Sequence, residues 1–282
     1  MDLIREPHEA ALWTASNRRK GLSIGFVPTM GALHEGHLEL IHRARKECDR
    51  VCCSIFVNPL QFNDPEDLAK YPIRTAEDKA LLESAGCQAL FTPLKEELFK
   101  GFTPSQYDLG GIDAHWEGPS RPGHFQGVAN VVERLFHYVR PDRAYFGAKD
   151  RQQLTILQHL QTTQRWPVTI VECPTVREQD GLAMSSRNLR LAAHERRAAP
   201  ILFKALCKMA SLAFTTSVEG CIEAGQGILA QETLLDLDYL GIADAGNLEP
   251  ISEWGNRREA VVLVAAHFGE VRLIDNLTLK PA

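Results

Sequence analysis

The sequence has no apolar run that approaches the roughly 20 residues a membrane-spanning helix needs, so it predicts no transmembrane segment and no membrane partner. Its start, Met1-Asp2-Leu3-Ile4-Arg5-Glu6-Pro7-His8-Glu9, puts charges where a secretory signal would need an apolar core. Cysteines number seven, an odd count without framework spacing, and adjacent Cys52 and Cys53 sit in an apolar run. Reduced core thiols in a cytoplasmic protein are therefore expected, not a disulfide scaffold. C-x-x-C and H-E-x-x-H spacings, which often hold zinc, are both missing. So is an excess of positive charge. The formal net charge is −5, and Arg18-Arg19-Lys20 reads as a solvated helix end, which argues against a nucleic-acid partner. There are no repeats and no low-complexity linkers. What is left, 282 residues with 44% hydrophobic and 24% charged, is a globular composition with enough chain for one large domain or two.

The chemistry is concentrated in two segments. The first is Pro28-Thr29-Met30-Gly31-Ala32-Leu33-His34-Glu35-Gly36-His37. It follows a strand-like apolar run at 22–27 and opens an amphipathic run with Leu38, Ile41, Ala44 and Cys48 at helical spacing. A strand, a glycine-containing turn and a helix start place free N–H groups and the positive helix end where a phosphate can sit. His34 and His37, three apart, share one side of the first helical turn. Their imidazoles can donate to phosphate oxygens whose charge grows as an α–β phosphoanhydride breaks. By itself the segment leaves open a surface loop with incidental histidines, or a zinc site that would need another ligand.

The second segment is Val176-Arg177-Glu178-Gln179-Asp180-Gly181-Leu182-Ala183-Met184-Ser185-Ser186-Arg187-Asn188. Two hydroxyls and a forked guanidinium beside a glycine-containing loop suit the far side of a triphosphate. By itself it would be an ordinary polar loop ahead of a helix. Together the two segments resemble the HxGH and KMSKS pair of the nucleotidyl-transferase superfamily. The resemblance narrows to the pantothenate synthetase family on residues 28–37, 54–62 (Ser-Ile-Phe-Val-Asn-Pro-Leu-Gln-Phe), 120–125 (Ser-Arg-Pro-Gly-His-Phe), 147–153 (Gly-Ala-Lys-Asp-Arg-Gln-Gln), 184–188 and 272–276 (Arg-Leu-Ile-Asp-Asn). These blocks occur in family order over nearly the whole chain.

The resemblance implies an ATP-dependent ligase that joins (R)-pantoate to β-alanine through a pantoyl-adenylate, with Mg²⁺, as a homodimer. It implies a catalytic set of His37, His34, Lys149, Ser186 and Arg187. Around ATP it implies Met30, Gly31, His34, His37, Gly147, Lys149, Asp150, Val176, Met184, Ser185, Ser186 and Arg187. On the substrate it implies Gln61, Gln153 and Asn58, whose amides read hydroxyl and carboxylate oxygens through both donor and acceptor ends. It identifies no protein ligand for Mg²⁺. Without the resemblance, both glutamines read as surface residues, Lys149 and Asp150 as solvated strand-end charges, and Arg121 and His124 as loop closure or helix initiation.

Along the chain, apolar runs at 22–27, 51–57, 89–91, 144–146 and 168–171 alternate with helical patterns, including one begun by Thr75 and Asp78 and a core-facing one from Val128 to Val139. This predicts an α/β fold, a Rossmann-like doubly wound parallel sheet over 1–175, with ligands beyond the carboxyl ends of its strands. Beyond residue 176 the pattern predicts a smaller α+β domain, 176–282: helices at 192–213 and 217–231, strands at 235–242 and 260–268, and a short segment at 272–274. That domain is expected to act as a lid that closes on the nucleotide. Against the family pattern, Ala148 stands where glutamate is common, Arg151 where an aromatic residue is common, Asn130 for threonine, and Leu189-Arg190 for a segment that usually ends in tyrosine. Two rivals remain at this point: a nucleotidylyltransferase acting on a phosphorylated small molecule, and a nucleotide-binding protein without catalysis.

Overall fold

A computed structural model describes residues 1–62, 65–69 and 71–281. The elements in chain order are β1 (Asp2–Ile4), α1 (Pro7–Arg18), β2 (Ile24–Thr29), α2 (Glu35–Glu47), β3 (Arg50–Ile55), α3 (Pro65–Ala69), α4 (Thr75–Ser84), β4 (Ala89–Phe91), α5 (Lys95–Leu98), α6 (Glu117–Ser120), α7 (His124–Val139), β5 (Arg143–Gly147), α8 (Arg151–Thr163) and β6 (Thr169–Cys173). They continue with α9 (Ala193–Ala198), α10 (Ile201–Leu212), α11 (Val218–Leu229), β7 (Leu235–Asp244), β8 (Ala260–Phe268) and β9 (Val271–Leu279). None of these helices is long and apolar enough to cross a membrane.

Strands β1 to β6 form one parallel sheet in the order β1-β4-β3-β2-β5-β6. Alternate residues of each strand serve opposite faces, because side chains on a strand repeat every second position. Phe26, Cys52, Phe91, Ala144 and Phe146 pack under α7 and α8. Val27, Val51, Cys53, Leu90 and Tyr145 pack under α2 and α4. A sheet buried on both faces reads as continuous apolar runs, which is why these strands were visible in the sequence. The chain leaves β2 outward to β3 and β4, then returns to the other side of β2 with β5. The order therefore reverses between β2 and β5, and a crevice opens beyond their carboxyl ends.

Strands β7, β8 and β9 form an antiparallel sheet. One of its faces carries α10 and α11. The other sets Val261 and Leu263 against Phe125 and Ala129 of α7 and Ile156 and Leu160 of α8. The proposed division at 175/176 falls in the connection between the two sheets. Besides that shared apolar patch, the Trp116 indole N–H donates to Leu248 O at 2.7 Å and an Arg151 N–H to Ala245 O at 3.1 Å.

Two expectations need correction, and one strand was not foreseen. The helix expected over 192–213 is two, because Pro200 lacks an N–H and crowds the preceding turn, which separates α9 from α10. The segment expected at 272–274 is the start of the nine-residue β9. Strand β1 went unread: three residues are too few to set up a period.

Candidate active site

The turn after β2 is held in an unusual backbone shape. Gly31 has φ +84° and Ala32 φ +50°, both left-handed. A side chain on Gly31 would also collide with Asp78 Oδ2, 2.9 Å from an added Cβ. Asp78 supplies the restraint. From α4 it accepts the Ala32 N–H at 2.9 Å and the Leu33 N–H at 2.8 Å, one on each carboxylate oxygen, and it is buried. The Thr29 hydroxyl adds to this, donating to Ser54 O at 2.7 Å and accepting the Gly31 N–H at 3.2 Å. Gly31 is thus a shaping residue of the turn, next to Met30, which lines the cavity.

The two histidines cap the helix they open. His34 Nδ1 accepts the Gly36 N–H at 3.2 Å, and His37 Nδ1 accepts the His34 N–H at 3.3 Å, so the pair forms a capping box with imidazoles in place of hydroxyl and carboxylate. Because each Nδ1 accepts from the backbone, the ring proton belongs on Nε2, and both Nε2–H groups are left as donors. The ring centroids are 4.1 Å apart. Gly36 is required between them, since a Cβ there would lie 2.9 Å from His34 Cε1. Burial and the neighbouring Lys149 lower His34 from the usual 6.5 to about 4. Burial, His34 and Lys149 lower His37 to about 3. In the absence of an anion both rings are neutral hydrogen-bond donors.

Across the crevice, the turn Ala148–Asp150 after β5 presents Gly147, Lys149 and Asp150. Lys149 donates to Asp150 at 3.4 Å. Burial would raise the Asp150 carboxyl, but Lys149, Arg187 and Arg121 together hold it below the usual carboxylate range. Met30, His34 and His37 face these residues, as do Val176, Met184, Ser185, Ser186 and Arg187. The last three belong to a segment anchored from behind. Arg177 donates to both Asp275 oxygens at 2.6 and 3.0 Å and lies over the Phe203 ring, while Ser185 Oγ accepts the Arg187 N–H at 3.2 Å. The Asn276 amide donates to the carbonyls of Ala148 and Lys149 at 3.0 and 2.8 Å, which ties β9 directly to the lysine turn.

The expected substrate residues differ in character. Gln153 lines the cavity and its amide has no hydrogen-bond partner among the described residues. Gln61 also lines it, donating to Met30 Sδ at 3.0 Å and accepting from Asn58 Nδ2 at 3.1 Å. Asn58 is hydrogen-bonded through both amide atoms: its Nδ2 also donates to Gly127 O at 3.0 Å and its Oδ1 accepts the Leu60 N–H at 3.2 Å. It orients Gln61 and lines the same cavity beside it.

Sequence reading overlooked a second polar cluster on the same cavity. Gln152, neighbour of Gln153, accepts the Glu117 N–H at 2.9 Å and donates to Ile112 O at 2.7 Å and His115 O at 2.8 Å. Glu117 in turn accepts from Arg272 at 2.7 and 2.8 Å and from the Tyr239 hydroxyl at 2.9 Å. Gln152 and Arg272 stand in blocks quoted above, but the partners lie as far as 155 residues apart in sequence, so nothing local marked the contacts among them. Two of the unusual residues also find their place. Arg151 pairs with Glu172 at 3.0 Å and with the β7–β8 connection through Ala245 O, and Asn130 clamps Ser105 through both its amide atoms.

With this geometry in hand, the comparisons decide the family. The pantoate–beta-alanine ligase family model matches residues 2–278. The chain belongs to the pantoate–β-alanine ligase family. Among curated relatives, a pantothenate synthetase of Thermus thermophilus is 47% identical over 260 residues, covering 92% of this chain and 94% of its own. One of Cytophaga hutchinsonii is 44% identical over 270 residues, 95% of each chain. A solved pantothenate synthetase of Thermus thermophilus superposes with a TM-score of 0.93 at 46% identity, covering 100% of both chains. A pantoate–β-alanine ligase of Francisella tularensis, complexed with beta-gamma ATP and β-alanine, gives 0.79 at 31% identity, with 98% and 97% covered. As a member of this ligase family the chain carries the family's α/β architecture from end to end.

Proposed function

We propose that this chain condenses (R)-pantoate with β-alanine in two steps at the crevice between β2 and β5. The pantoate carboxylate attacks the α-phosphorus of ATP, forming an O–P bond as the α–β anhydride breaks and pyrophosphate leaves. The β-alanine amine, having lost its proton, then attacks the acyl carbon, forming the amide as AMP departs. The observation that carries this reading is the pair of neutral imidazole Nε2–H donors facing Lys149 and the Gln153 amide across one cavity. Donors fixed in advance stabilise charge that develops on the breaking anhydride. Lys149, Ser186 and Arg187 complete the grip on the phosphates, and Asp150 accepts from the ribose. Gln61 and Gln153 take the pantoate oxygens. No protein nucleophile is needed, because adenylation itself creates the leaving group.

Among the described residues no group of three His, Cys, Asp or Glu side chains could hold a metal ion. Mg²⁺ is accordingly assigned to the substrate MgATP, held by phosphates and water as is usual for that ion, where it neutralises phosphate charge. Six of the seven cysteines are buried as free thiols, which suits the cytoplasm as the working compartment. A homodimer is the proposed assembly, to be read by sedimentation. The deciding experiment is exchange of labelled pyrophosphate into ATP. Exchange that requires pantoate and proceeds without β-alanine supports adenylation of a carboxylate. Exchange that instead requires a phosphorylated co-substrate would make the protein a nucleotidylyltransferase.

A further inference from the structure

Lys149 must aim its ammonium at the phosphates, yet its own stretch of chain does little to hold it. The residue sits in the middle of the turn Ala148–Asp150. Asp150, with φ −93° and ψ 60°, leaves the helical region before α8 begins, so the turn does not inherit the rigidity of that helix. The ammonium itself has one long contact, to Asp150 at 3.4 Å.

The restraint comes from the other sheet. Peptide groups are planar, so the direction in which a side chain leaves the backbone is set by the two peptide planes that meet at its Cα. For Lys149 those planes carry the Ala148 and Lys149 carbonyls. Asn276 Nδ2 has two N–H groups and reaches both carbonyls, at 3.0 and 2.8 Å, so one amide pins both planes. Asn276 is buried and held in its turn. Its N–H donates to Asp275 Oδ1 at 2.8 Å, its carbonyl accepts from Arg177 at 3.2 Å, and it stands opposite Leu263 in the β8–β9 ladder. The first turn of α8 has separate anchors, Arg151 on Glu172 and Gln152 on Glu117, Ile112 and His115. Gln153 therefore keeps its place whatever happens at Asn276.

We propose that Asn276 is a positioning residue for the adenylation step, acting through Lys149 by fixing the two peptide planes from which that side chain departs. The proposal rests on the ligase reading above. It makes the aim of a lysine on the parallel sheet depend on an amide supplied by the antiparallel one. Arg177, which holds Asn276, belongs to the segment that carries Ser186 and Arg187, so one stretch of β9 aligns both sides of the phosphate grip.

The test is a double-mutant cycle. Asn276→Leu keeps the branched shape of the side chain and removes its donors. Its kcat for pantoate-dependent pyrophosphate exchange should fall roughly 10- to 100-fold, the scale for a catalytic group displaced by about 1 Å, while the KM for pantoate stays within about 3-fold of the parent. Lys149→Ala supplies the readout that a merely architectural role would not move. With the lysine already gone there is nothing left to aim, so adding Asn276→Leu should slow exchange by no more than about 2-fold further. Thermal melting establishes that each variant is folded, and Asn276→Ala runs the same cycle if the leucine variant is not. A parental rate in Asn276→Leu, a pantoate KM that rises as the rate falls, or a larger further loss in the double variant overturns the assignment. A parent protein with no pantoate-dependent exchange overturns the ligase reading itself, and this one with it.

Discussion

Replacing Asp78 should damage stability and catalysis together, although the residue lies outside the cavity wall. Its two oxygens hold the Ala32 and Leu33 N–H groups at 2.9 and 2.8 Å, and the carboxylate is buried. Hydrogen bonds to a charged group contribute roughly 1.5–3 kcal/mol each, so losing both in Asp78→Ala costs about 3–6 kcal/mol. That is a large share of the roughly 5–15 kcal/mol that keeps a typical domain folded. Asp78→Asn keeps one acceptor but turns its amide donors toward the other N–H, so a loss of about 2–3 kcal/mol is expected. The turn carries His34 and His37, and a displacement of about 1 Å in catalytic groups can lower rates roughly 10²-fold. Urea unfolding measures the first effect. Pyrophosphate exchange, run at a temperature where the variant remains folded, measures the second. Glu77→Ala, one residue away on the exposed side of α4, is the control and should shift stability by no more than about 0.5 kcal/mol. An Asp78→Asn protein with the parent's midpoint and exchange rate would refute the reasoning, and would mean that the left-handed turn at Gly31 and Ala32 holds itself.

Other outcomes follow from the same geometry. His37→Ala should lower exchange by roughly 10²-fold or more with the fold retained, because it removes one fixed donor; normal turnover in a variant that merely melts early would sink the role. Gln153→Ala should weaken pantoate far more than ATP, since its amide has no hydrogen-bond partner among the described residues, whereas Gln61→Ala should also loosen Asn58; equal losses for both substrates would make the glutamines architectural. The histidines also set the acid limit. His34, His37 and His124 are lowered to about 4, 3 and 4, so below 6.5 the unfolded chain takes up protons that the folded one refuses. Stability from this source is complete above pH 6.5 and is lost as pH falls from there toward 4. A melting temperature flat between pH 7 and 5 would contradict those shifts.

The parts legible in the sequence share a physical reason. Buried parallel strands announce themselves as apolar runs, and a turn that must meet a phosphate carries its glycines and histidines next to one another. That is why residues 51–57 and 28–37 could be read directly. Asp78 was different. An acidic residue in a helix's first turn already has a local explanation, so nothing indicated that its carboxylate spans 46 residues to Ala32. Glu117, Gln152 and Arg272 were hidden in the same way, each an ordinary polar residue until folding closes the distance. Asn58 illustrates the converse: the block around it was recognised, but whether it touches substrate or orients Gln61 depends on Gly127, a partner on α7.

The attachment of β9 to the lysine turn has a consequence for how the protein comes into being. The carbonyls of Ala148 and Lys149 are held by Asn276, 128 and 127 residues further along the chain. A nascent chain that has emerged only through Asn188 already carries the histidine, lysine and 185–187 segments of the crevice, yet its lysine turn still lacks this anchor. Translation order therefore matters here: the histidine turn can form before β9 is made, but the Ala148–Asp150 turn gains these two hydrogen bonds only once Asn276 has been added.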